Sequence, residues 1–206
     1  NIFSRTENMR RKDAKYRILA AARKLFFEFG VPAVTTDMLA KAAKTSKMTL
    51  YKYFENKEVL LEAVVTQEVA RIYEPSKGVV NSQVEYQNML QSFCINLVNI
   101  VFDPQIVRFD QLMISQALSN KEMSQEHYNR CYLPAIQELT RLIKNGQESY
   151  YLNTKQTPED IADMLLSSIS GLSYTKALFG FSITKDVVEA KVANILSILF
   201  SADDAP

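Results

Sequence analysis

The chain has 206 residues, 47% of them hydrophobic, with a formal net charge of +1, one histidine and two cysteines. That length can bury a substantial core in one or two domains, and no apolar run approaches a membrane span. With one histidine and no HExxH, CxxC or glycine-rich phosphate loop, there is nothing on which to build metal, triad or nucleotide chemistry. An enzyme is therefore not expected, and neither is a cofactor or a metal site. Cys94 and Cys131 lack metal-ligand spacing and a disulfide-rich context, so they read as buried free thiols, with a redox switch as the alternative. No charged-then-apolar leader opens the chain, and the expected location is the cytoplasm.

Only five glycines and six prolines, together with long helical periodicities, predict an all-α protein. Taken in segments, the charge is far from balanced. Residues 1–60 carry 13 Lys and Arg against 6 Asp and Glu, whereas the remainder carries 11 against 17. A basic head on an acidic body is the electrostatic footprint of phosphate binding at one end. The first element, RRKDAKYRILAAARKLFFEF, reads as an amphipathic helix stopped by Gly30. Ile18, Leu19, Ala22, Leu25, Phe26 and Phe29 mark its apolar face. Its opening is basic through Arg10, Arg11, Lys12, Lys15 and Arg17.

The next segment, TTDMLAKAAKTSKMTLYKYF over 35–54, reads as two short helices joined by a tight turn. Thr35 or Thr36 caps the first, because a threonine hydroxyl accepts from a free amide of the opening turn. Leu39, Ala42 and Ala43 give it an apolar stripe. Ser46 caps the second, which turns Leu50 and Phe54 inward and shows Lys47, Met48, Thr49, Lys52 and Tyr53 on the other face. A short helix with one buried face and lysine, hydroxyl and aromatic groups opposite suits the DNA major groove. Asn56 caps a longer helix with Leu60, Val64 and Ile72, running to Pro75.

At Thr36, Ala40, Ala43, Ser46, Thr49, Leu50, Tyr51, Phe54, Lys57 and Leu60 the segment resembles the TetR family of helix-turn-helix transcriptional regulators. It departs from that pattern at Lys44, where a turn glycine is usual, and at Met48, which replaces a glycine near the start of the recognition helix. The resemblance implies a three-helix helix-turn-helix domain over 1–56 and a connecting helix over about 57–74. A larger α-helical ligand-binding and dimerisation domain would then occupy 75–206. Double-stranded, palindromic operator DNA is the implied partner. Phosphate contacts are expected from Thr36, Tyr51, Tyr53 and Lys57, and base contacts from Lys47, Met48, Thr49 and Lys52.

Beyond Pro75 a linker, SKGVVNS, precedes longer apolar helices expected over 86–102, 105–118 and 122–152. Pro134 lies inside the third and predicts a break near 131–133. Thr157-Pro158-Glu159-Asp160 opens a helix expected to run to Phe179, with Gly180 ending it and a last helix closing at Phe200. Phe93, Phe102, Phe109, Leu112, Met113, Gln116, His127, Tyr128, Cys131 and Tyr132 supply aromatic, methionine and scattered polar groups. Such residues line pockets for apolar ligands, although stripes of this kind are more often plain core. His127 is read as a core or surface residue. The candidate effector contacts are Phe102, Phe109, Met113, Gln116, Tyr128 and Tyr174. The 107–132 stretch resembles the regulatory domains of AcrR- and AefR-type members, which implies a lipophilic effector.

The last two helices carry Leu165, Ile169, Leu172, Val192, Ile195 and Leu199 on apolar arcs. By pattern these close the monomer core or pair with a second copy. The resemblance implies the homodimer. The functional expectation is a repressor released from DNA by a small apolar or amphipathic molecule. The rival is a DNA-binding adaptor whose body holds a protein partner, in which case the core should be filled and an apolar patch exposed.

Overall fold

The computed structural model describes residues 2–201, with side chains placed from Asp13 onward, so the expectations on Arg10, Arg11 and Lys12 lie outside the described side chains. Every regular element among the described residues is helical. The chain divides into two units, Asn1–Gln67 and Glu68–Pro206. The division falls inside α4 (Lys57–Tyr73), so this helix begins in one unit and ends in the other.

The first unit holds α1 (Ile2–Phe29), α2 (Thr36–Ala42), α3 (Lys47–Tyr53) and the start of α4. α1 buries Ile18, Ala21, Ala22, Phe26 and Phe27, while Phe29 stays 45% exposed. The stripe is thus rotated from the expected one: Ala21 and Phe27 go in, and Leu19 and Leu25 stay half-buried. Gly30, at φ 77°, ends α1 by donating its amide to the Phe26 carbonyl at 2.9 Å. Val34, Leu39, Ala40, Ala43, Leu50, Phe54, Leu60, Val64 and Val65 are buried with them. Asn56 caps α4 by accepting from the Val59 amide at 2.8 Å.

The second unit contains α5 (Gln83–Val101), α6 (Pro104–Gln116), α7 (Lys121–Cys131), α8 (Leu133–Glu148), α9 (Pro158–Ile169), α10 (Gly171–Leu178) and α11 (Lys185–Ser201). Its core gathers Leu90, Phe93, Leu97, Leu139, Ile143, Leu165, Val192 and Leu196 from four helices. Each such side chain contributes about 1.5–3 kcal/mol through burial. Tyr86 lies across α8 and donates its hydroxyl to the Leu142 carbonyl at 3.2 Å. Gly146 makes this possible, since a Cβ there would stand 2.3 Å from the Tyr86 ring.

Pro134 divides the long 122–152 segment into α7 and α8, because its ring cannot follow another helical turn. A second break was not expected. The helix opened by Thr157 stops at Ile169 and resumes as α10 at Gly171. The Ser170 hydroxyl donates to the Leu166 carbonyl at 2.5 Å, the back-bonding that bends helices, and glycine follows it.

Candidate functional site

Two local motifs fix the geometry of the head. Thr35 caps α2, its hydroxyl accepting from the Met38 amide at 3.2 Å. At the other end of α2 the Lys44 amide donates to the Lys41 carbonyl at 3.2 Å and the Thr45 amide to the Ala40 carbonyl at 2.9 Å. This doubly bonded turn requires a left-handed residue, and Lys44 supplies it at φ 51°. Ser46 then caps α3, accepting from the Thr49 amide at 3.0 Å, and its hydroxyl also meets that of Thr49 at 2.9 Å. Leu39, Ala40 and Ala43 form the buried side of α2; Ala42, expected there, is exposed because it lies on the far side of the turn.

With Leu50 and Phe54 buried, the outer side of α3 offers Met48 at 82% exposure, Tyr51 at 50%, and exposed Lys47 and Lys52. Thr36, Thr49 and Tyr53 are half-buried at the margins. Lys47 reaches Asp37 of α2 at 2.8 Å, and that hydrogen bond and charge raise its ammonium above the usual lysine range. Lys57 behaves differently from the other residues of this set. Its ammonium donates to the carbonyls of Val31 at 3.1 Å and Val34 at 3.0 Å, tying the α1–α2 connection to the start of α4. Two of its three donors are therefore spent on the fold and not offered to DNA.

In the body a cavity of about 150 Å³ lies between α5, α8, α9 and α10. Leu97, Val98, Val101, Ala135, Ile136, Leu166 and Ile169 form its apolar walls together with Tyr132, Ser170 and Tyr174. Of the six expected effector contacts only Tyr174 lines it. Phe109 and Met113 are packed inside the unit, Gln116 is exposed and Tyr128 is 50% exposed, stacked on Tyr132. Phe102 meets Tyr174 edge-on at 5.9 Å without reaching the cavity. Spacing along each helix could not reveal that the cavity opens between α5 and α8–α10 and away from α6 and α7.

Behind the two tyrosines sits Asp110, 3% exposed. Its Oδ1 meets His127 Nε2 at 2.6 Å; its Oδ2 accepts from Tyr174 at 2.5 Å and from Tyr132. The tyrosine oxygens lie 2.9 Å apart, and Cys131 Sγ stands 3.3 Å from His127 Nδ1. Burial first, and then the Asp110 charge, push both phenols far above the usual tyrosine range, so each keeps its proton. The expectations missed Asp110. The available signal was its place on the α6 stripe, three residues after Val107 and three before Met113, where a charge is out of pattern.

The sequence profile described as bacterial regulatory proteins of the tetR family matches residues 18–64. The HTH-type transcriptional regulator YhgD of Bacillus subtilis is 46% identical over 26% of this chain and 28% of its own length. UidR of Escherichia coli, also an HTH-type transcriptional regulator, is 27% identical over 72% of this chain and 76% of its own. The crystal structure of a TetR transcriptional regulator from Agrobacterium tumefaciens superposes with a TM-score of 0.66 at 24% identity, covering 91% of this chain and 93% of that one. Over residues 18–64 the chain thus carries the DNA-binding domain of the tetR family, and it is a DNA-binding transcriptional regulator and not an enzyme.

Four of the six residues expected at a dimer face are buried within the chain. Leu165, Ile169, Val192 and Leu199 are at most 6% exposed inside their own unit, and so are unavailable to a second copy; Ile195 is half-buried and Leu172 is 69% exposed. Beside Leu172, the outward apolar groups of these last helices are Met164, Val187 and Ile198, with Phe179 just past the end of α10. Both cysteines are free, and burial pushes each thiol up to about 12, which opposes thiolate chemistry. Among the described residues no cluster could hold a metal ion, and no single helix is long and apolar enough to cross a membrane.

Proposed function

We propose that this regulator is a cytoplasmic homodimeric repressor, released from a palindromic operator by a small apolar or amphipathic molecule held in the body. The observation that carries the reading is an apolar cavity of about 150 Å³, bordered by tyrosines, in a chain that begins with a capped helix-turn-helix. A cavity of that size admits a benzene-sized guest, which favours an effector over the rival protein partner. Lys47, Met48, Thr49 and Lys52 face the bases; Thr36, Tyr51 and Tyr53 touch phosphates; Lys57 chiefly holds the α1–α2 connection. A second copy docks through the outward groups of α9, α10 and α11, giving the two recognition helices that a twofold site needs. Coupling of about 1–3 kcal/mol through α4, the covalent route between the units, loosens DNA binding by about 5- to 150-fold.

Selection from random duplexes is the test. The wild type should enrich an inverted repeat, and Met48→Ala should enrich a different one. Light scattering should give twice the 23.5 kDa chain mass, and Leu172→Asp with Ile198→Asp should give the single mass with sharply weakened binding. A wild type that remains monomeric at micromolar concentration while holding its selected duplex defeats the dimer; enrichment of a lone half-site defeats the palindrome.

A further inference from the structure

We infer that Asp37 is a specificity-determining residue of the DNA-reading face: it takes up the charge of Lys47, so that this lysine reads bases as a directed donor and adds nothing to general phosphate binding. The inference rests on the base-facing reading of Lys47 above and extends it to a residue outside that set. Between Gly30 and Phe54 the chain has four lysines, Lys41, Lys44, Lys47 and Lys52, and a single carboxylate, Asp37. That carboxylate meets Lys47 Nζ at 2.8 Å, from α2 to α3, whereas the other three lysines have no ion pair among the described residues. The side chains of the pair are 52% and 75% exposed, so DNA can reach both.

Each member has a reason to hold its place. Asp37 lies in the first turn of α2, where the helix dipole favours an anion. Lys47 opens α3, where the dipole disfavours a cation, and that turn has no acid of its own. Asp37 supplies the missing charge, and the raised ammonium of Lys47 follows from it. An ammonium has three N–H donors, and Asp37 Oδ1 takes one. Two remain, enough for the paired acceptors of a base edge such as guanine O6 and N7. A phosphate gains little from this lysine, because taking it leaves the Asp37 carboxylate bare beside the DNA. Base acceptors are neutral and can be met with the pair intact. Counterion release on random DNA should therefore come from cations that hold no carboxylate, Lys52 among them, and not from Lys47.

The test is binding of the full chain, by fluorescence anisotropy over a range of salt concentrations, to a random-sequence duplex and to the duplex that the wild type selects. On the random duplex Asp37→Ala and Asp37→Asn should each steepen the dependence of log K on log salt by about 0.9, the value of one further phosphate, and bind roughly five-fold more tightly. The selected duplex should gain less, so that the ratio of selected to random affinity falls. Adding Lys47→Ala to Asp37→Ala should return the slope to the wild-type value. An Asp37 that served only the dipole of α2 would shift the unfolding midpoint and leave the slope alone. An unchanged slope in both Asp37 variants overturns the inference, and so does a steeper slope that survives the removal of Lys47. Lys47→Ala selecting the same duplex as the wild type overturns the base-facing reading itself, on which the slopes do not depend.

Discussion

The two units of this regulator handle polar groups in opposite ways. The head displays them: Lys47 and Asp37 pair at 2.8 Å in open solvent, and Met48, Tyr51 and Lys52 stand exposed beside them. The body hides them, with Asp110 drawing His127, Tyr132 and Tyr174 onto one buried carboxylate. Exposed pairs are weakened by water and salt, which suits a surface that must exchange its partners for phosphates. A buried carboxylate is held by every donor around it and fixes their directions. The contrast separates a surface whose groups are free to change partners from an interior whose groups are not.

Asp110→Ala tests the contrast most severely. It strands three donors in the interior and should lower the stability of the body by about 3–5 kcal/mol, read from urea unfolding. Asp37→Ala removes a carboxylate of the same kind from the head and should cost no measurable stability, since both members of its pair with Lys47 are exposed. A loss below about 1 kcal/mol for Asp110→Ala would mean that water replaces the carboxylate, and the contrast would fail.

Gly146→Ala should come next. The added Cβ meets the Tyr86 ring at 2.3 Å, so the ring must leave its place under α8 and weaken its bond to the Leu142 carbonyl. Overpacking of this kind costs about 1–3 kcal/mol, more than the roughly 1 kcal/mol that alanine gains over glycine within a helix. Thermal unfolding should show a lower midpoint for the body. An unchanged or raised midpoint would show that Tyr86 is not held by close packing.

The same contrast explains which residues could be foreseen. The head was legible because its function lies in one contiguous stretch: the caps at Thr35 and Ser46, the inward Leu50 and Phe54 and the outward Met48 follow from spacing within 35–54. Lys57 was harder, because its carbonyl partners stand 23 and 26 residues earlier in the chain. In the body, helix starts at Thr157 and breaks at Pro134 were local and readable. The cavity was not, because it depends on which faces of α5, α8, α9 and α10 meet. Asp110 and Tyr174 are 64 residues apart, and periodicity carries no information across such a distance. Leu165, Ile169, Val192 and Leu199, expected at a dimer face, lie inside the body for a related reason: an apolar arc says that a helix has something to bury, and these positions were taken by the body's own core.

The smallest expected effect concerns a feature that the two units share. Each ends a helix on a non-glycine residue in the left-handed region, Lys44 at φ 51° in the head and Tyr150 at φ 58° in the body. Both turns carry the same pair of bonds. In the body the Tyr150 amide donates to Gln147 at 3.1 Å and the Tyr151 amide to Gly146 at 2.8 Å. A side chain in this conformation brings Cβ against the following carbonyl at a cost of about 1–2 kcal/mol, which glycine avoids. Glycine returns part of that gain through the freer unfolded chain. Lys44→Gly and Tyr150→Gly should therefore each stabilise their own unit by about 0.5–1 kcal/mol, measured by urea unfolding of the full chain. Tyr150 is the sharper case. Its side chain is 90% exposed, so almost no packing is lost with it. If Tyr150→Gly instead destabilises the body, the exposed ring must be held in contact in solution, and the strain at position 150 would be the cost of presenting it.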